Sequence, residues 1–173
     1  MRAEDRTWVS DASTDQTIDE QLAALGPGWA VVHGVDLGDR RPPVGHVVIG
    51  SGGVFTVLTA DHGDERVWVR GDGFVVNGLW MSYLRESRRE ADRVDRVLST
   101  AVGVAVAVRG VVALVADPAR VAIKQQPDDV HVAAPGTLRQ WLTGVPVVFD
   151  DAMVERIHLL VRRSAAWPEQ RAG

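Results

Sequence analysis

The chain has 173 residues, 46% of them hydrophobic and 24% charged, a size and balance suited to one globular domain with a substantial core. A formal net charge of −4 argues against a general, strongly basic nucleic-acid binder, and the lack of cysteine excludes disulfides, thiolate metal sites and thiol nucleophiles. No apolar run is long enough to span a bilayer and "MRAEDRTWVSDASTDQT" lacks the apolar centre of a signal peptide, so a cytoplasmic protein with no membrane role is expected.

Residues 1–13 are polar and read as a flexible N-terminal tail with Trp8 as an anchor. A first helix is predicted from Asp15 to Leu25, because Ile18, Leu22 and Leu25 recur at helical spacing and "GPG" at 26–28 ends the run. Three strands follow, "WAVVHGVDL" (29–37), "VGHVVIG" (44–50) and "GVFTVLT" (53–59), each rich in β-branched residues and bounded by Gly or Pro. "ERVWVRGDGFVVNG" (65–78) predicts a further hairpin turning at Gly71-Asp72-Gly73.

A second helix is predicted over 82–101, with Leu84, Ser87, Ala91, Val94 and Leu98 as its inward stripe. "VAVAVRGVVALVA" (104–116) is nearly continuous apolar sequence, as expected of a strand buried on both faces. "DVHVAA" (129–134) is another strand, "GTLRQWLTG" and "DDAMVERIHLLVRR" supply two terminal helices, and residues 164–173 read as a C-terminal tail. Antiparallel strands followed by a crossover helix and a buried strand imply a single α/β domain with a mixed central sheet flanked by helices.

This element order, with "ALGPGWAVVHGV" (24–35), "GHVVIGSGGVFTV" (45–57), "RVWVRGDGFVVNG" (66–78) and "YLRESRREADRVDRVL" (83–98), resembles the nuclease-related domain (NERD) family. That family belongs to the restriction-endonuclease-like PD-(D/E)XK group, and the resemblance covers roughly residues 14–163. It implies metal-assisted phosphodiester hydrolysis, in which strand carboxylates hold Mg²⁺ or Mn²⁺ and a Lys positions the nucleophile. Carried over position by position, the family Asp falls on Gly45, beside the retained His46, the acidic position on Leu58 and the Lys on Ala60. A helix-one Glu that approaches the metal in the family best matches Asp15. The frame is kept while its charges are gone, which implies no catalytic residues, no resident cofactor and a binding module for nucleic acid or a protein partner.

Two other readings stay open. Ligands relocated to Asp15, His46, Asp61 and His62 would restore a divalent-metal-dependent nuclease, although "DHGDE" is first a solvated, turn-forming connection. Exposed Trp or Val surface would instead serve a structural or homo-oligomeric role. Arg85 and Arg89 on the second helix are candidate phosphate contacts. The interleaved acids favour an ordinary salt-bridged face, with Glu86/Arg89 and Asp92/Arg96 at neighbour spacing. Trp68, Trp80 and Trp141 could stack bases, but the commoner role of such residues is to fill cores or interfaces.

Overall fold

Runs of β-branched residues punctuated by glycine build two sheets in the computed structural model, which describes residues 18–165. The larger has the order β1 (Ala30–Val35), β2 (Val44–Gly50), β3 (Gly53–Gly63), β7 (Val108–Ala116), β9 (Val130–Ala133). β1, β2 and β3 form an antiparallel meander, whereas β3, β7 and β9 run parallel. The smaller sheet has the order β6 (Leu79–Trp80), β5 (Gly73–Val76), β4 (Val67–Arg70), β8 (Val121–Gln125), with β4 and β8 parallel. Four α-helices among the described residues flank these sheets: α1 (18–23), α2 (Tyr83–Val102), α3 (Leu138–Gly144) and α4 (Asp151–Ala165). The chain is therefore a single α/β domain with mixed sheets flanked by helices. The predicted N-terminal tail, Trp8, Asp15 and residues 166–173 lie outside the described residues, while α4 continues two residues into the segment read as tail.

Period-two alternation along the strands sorts the core into two faces. α1 and α3 cover one, where Ile18, Leu22, Leu25, Leu138 and Leu142 pack on Val48, Phe55, Val57 and Val111. α2 and α4 cover the other, where Val94, Leu98, Ile157 and Val161 meet Val47, Ile49 and Val54. A third cluster joins the sheets, with Leu84 of α2 against Ala60, Val112 and Leu114 of the large sheet and Val67, Val69 and Phe74 of the small one.

The predicted stripe of α2 is buried throughout, and Ser87 within it sits directly on β7. Gly110 permits that approach, because a Cβ there would collide with Ser87 Oγ and lie 3.1 Å from the Ser87 carbonyl oxygen. The ion pairs of α2 differ from the helix-internal ones expected. Arg88 reaches Asp72 at 2.6 Å and Asp129 at 2.9 Å, and Arg93 holds Asp39 with two bonds of 2.7 Å while donating to the Pro42 carbonyl. Long side chains on this helix thus tie it to three loops rather than to its own next turn.

Several strand assignments also change, β3 running on through Asp61 and His62 to Gly63 rather than ending at 59. β7 begins at Val108 rather than 104, because α2 ends on Gly103 with a left-handed φ of 84° and the next residues form a connection. β8 and the two-residue β6 were not anticipated. The turn between β5 and β6 has positive φ at both Asn77 (49°) and Gly78 (82°), the backbone that a tight two-residue hairpin requires.

Gly110→Ala should lower stability by about 1–3 kcal/mol through overpacking against α2. Ser87→Ala, which removes a buried hydroxyl without a hydrogen-bond partner among the described residues, should leave stability unchanged or raise it. Urea denaturation of the two variants checks both outcomes.

Candidate functional site

Leu58 and Ala60 share one face of β3, as their spacing requires, and that face packs beneath α2 with Leu84, Val112 and Leu114. Ala60 is buried and Leu58 half-buried, so both are part of the core. Gly45 is exposed and alternates with Val47 and Ile49 toward the same side. No oxygen or nitrogen side chain is present at any of the three positions. The face covered by α1 is the opposite one, carrying Phe55 and Val57, so these positions do not converge on α1 as the resemblance implies.

The described members of the relocated set do not assemble around one point either, Asp15 lying outside the described residues. His46 pairs with Val57 on β3, whereas His62 lies five residues further along that strand, about 17 Å away at ~3.3 Å per residue. His62 belongs to a different network: its Nε2 is 2.8 Å from the Tyr83 hydroxyl and its Nδ1 is 3.1 Å from Glu65 Oε1. Glu65 in turn accepts from Asn77 Nδ2 at 3.0 Å, and Asn77 Oδ1 accepts from the Arg66 amide. Asp61 Oδ1 accepts from the Gly63 amide in the adjoining turn. Burial pushes the Tyr83 hydroxyl pKa up, with nearby Glu86 and Glu65 adding to it, so this tyrosine is a poor nucleophile or base. The network fastens the end of β3 to the β4–β6 hairpins and the start of α2.

His46 has other company. It faces His33 across the β1–β2 ladder, with the two Nδ1 atoms 2.7 Å apart and the rings edge-to-face at 4.8 Å. Asp19 of α1 completes the group, and one ligand atom from each of the three lies within 4.8 Å of the others. Asp19 and His33 were not singled out from the sequence. The signal was the mirrored pair "HG" at 33–34 and "GH" at 45–46, which a hairpin register places opposite one another.

The small sheet carries a second notable surface. One face is buried in the core through Val67, Val69, Phe74 and Val76. On the other, the register sets Trp80, Val75, Trp68 and Ala122 side by side across four strands. Trp80 is 74% exposed and Trp68 39%, so neither fills the core. Gly73 provides the floor beneath Trp80, since a Cβ there would sit 3.3 Å from the indole. A cleft of about 590 Å³ beside Trp68 is walled by Arg66 and Arg120, and exposed Arg70 lies next along the β4 face. Arg85 and Arg89 are exposed on α2.

Trp141 is packed instead, stacked on His131 at 3.9 Å with Arg109 over its ring and Phe55 at its edge. Burial, with Arg109 adding to it, holds the His131 pKa down at about 4, so this imidazole is neutral near pH 7. Glu90 on α2 is the converse case. Its Oε2 is buried without a hydrogen-bond partner among the described residues, and burial raises the carboxyl pKa to about 7 against the opposing pull of Arg93.

The two groups act on stability with opposite sign. The folded Glu90 binds its proton more tightly than the usual 4.5, so its contribution is fully present below that pH and is lost as pH rises to about 7. The folded His131 binds more weakly than the usual 6.5, so its contribution is lost as pH falls from there to about 4. Glu90→Gln should therefore leave Tm nearly unchanged at pH 4 and raise it at pH 8, by calorimetry at both values.

Comparison with family models, curated proteins and solved structures found none that matches this chain.

Proposed function

We propose that this chain is a binding module for single-stranded nucleic acid, built on a nuclease-related frame that no longer hydrolyses phosphodiesters. The observation that carries the reading is the open face of the small sheet, where Trp80 and Trp68 flank Val75 in one cross-strand row. Two strand spacings separate the indoles, about 10 Å, enough for bases to stack on each while the backbone passes between them. Arg66, Arg70 and Arg120 supply the cationic rim that a polyanion needs. The interface is local, which is compatible with a net charge of −4 over the whole chain. Hydrolysis is disfavoured by apolar Leu58 and Ala60 in the core and by the separation of His46 from His62. No helix among the described residues is long and apolar enough to cross a membrane.

Fluorescence and anisotropy titration with single-stranded oligonucleotides tests the reading. Trp80→Ala and Trp68→Ala should each weaken binding by about 5- to 150-fold, the equivalent of ~1–3 kcal/mol per stacked base. Affinity should also fall with salt, and no cleavage should follow addition of Mg²⁺ or Mn²⁺. Undiminished binding by the double variant sinks the proposal. So does concentration-dependent dimerisation that Trp80→Ala abolishes without any oligonucleotide binding, which would assign the face to self-assembly.

A further inference from the structure

We propose that Asp19, His33 and His46 form a binding site for a divalent transition-metal ion of the Zn²⁺ class. The site is separate from the tryptophan face and does not depend on its reading. His33 and His46 are held opposite one another by the β1–β2 register, on the side of the sheet covered by α1. Their Nδ1 atoms point at each other 2.7 Å apart, one ring donating and the other accepting. A neutral pair in that arrangement must hold opposite tautomers, with one shared proton between two lone pairs. A metal ion takes the place of that proton, which moves to Nε2 of the donating ring, so that both imidazoles bind through Nδ1 in their neutral form.

The geometry is close to that of a bound ion. Two imidazole nitrogens on one tetrahedral ion, each ~2.0–2.1 Å from the metal, lie about 3.3 Å apart. The rings must part by about 0.6 Å from their present contact and turn so that both lone pairs converge on the ion. A carboxylate oxygen of exposed Asp19 is within 4.8 Å of a ring nitrogen of each histidine, close enough to offer the third bond.

The donor set selects the metal. Two imidazoles and one carboxylate suit Zn²⁺, Co²⁺, Ni²⁺ or Cu²⁺, whereas Mg²⁺ and Ca²⁺ favour shells made of oxygen alone. This is a different site from the one implied by the resemblance. That one would use hard carboxylates at Gly45 and Leu58, on the face covered by α2.

The test uses the full chain without a polyhistidine tag, titrated with Zn²⁺ against a chromogenic chelator. One ion should bind per chain, and Mg²⁺ in large excess should not displace it. His33→Ala and His46→Ala should each weaken binding by more than the roughly 10–100-fold typical of outer-shell changes. Asp19→Asn should cost about tenfold, and His158→Gln on α4 should have no effect. Circular dichroism of the metal-free variants checks that they fold. In the unaltered protein, NMR should show the ring signals of His33 and His46 moving on Zn²⁺ addition while those of His62 and His131 stay in place. Absence of stoichiometric binding, unaltered affinity in the His33/His46 double variant, or ring shifts confined to other histidines overturns the proposal.

Discussion

Parallel pairing of β3 with β7 is the constraint on which the rest of the molecule depends. The two strands lie together from Val54 opposite Val108 to Gly63 opposite Ala116. Valines and leucines fill both of their faces, so the strands need cover on each side. A parallel partner cannot be reached through a tight turn, so the chain must cross over between them. The crossover here contains two hairpins and the twenty-residue helix α2. The hairpins become the small sheet, and α2 becomes the lid on one face of the large one. Gly110 sets how closely that lid sits, with Ser87 resting on β7 where any other residue would place a side chain.

Much of this frame was legible in the sequence, because hydrophobic period and turn chemistry act locally. The meander, the stripe of α2 and the buried strand before Ala116 each declare themselves through spacing of valine and leucine. β8 escaped notice because its Val121 and Ile123 alternate over only five residues, beside exposed Lys124 and Gln125. It exists because β4 offers it a free edge, a fact that no local window contains. The start of β7 was placed too early for a similar reason. An apolar run of Val and Ala looks the same whether it pairs or merely connects, and Gly103 marks the boundary only once α2 is known to end there.

The chemistry was less legible than the frame, since function depends on which residues meet across strands. Position-by-position reading correctly placed Leu58 and Ala60 on one strand face, yet missed that this face is roofed by α2 while α1 lies on the other. His46 was recognised, but its partner is settled by register, and His33 comes from a strand where it looked unremarkable. The place of each tryptophan depends on its surroundings in the same way. Tryptophan is large and usually buried, but a sheet with one face already committed to the core must display what it carries on the other.

The β3–β7 pairing also governs the order in which the chain can acquire its shape. Closing a loop of about 54 residues between them costs roughly 3.5 kcal/mol beyond the constant term of ring closure. The meander β1–β3 needs only neighbouring contacts, so it can form first. Until residues 108–116 arrive, the long, valine-rich edge of β3 stands unpaired, the kind of template on which chains stick to one another. During synthesis from the N-terminus that edge emerges well before its partner. The strand that organises the finished domain is, for that interval, its most exposed liability.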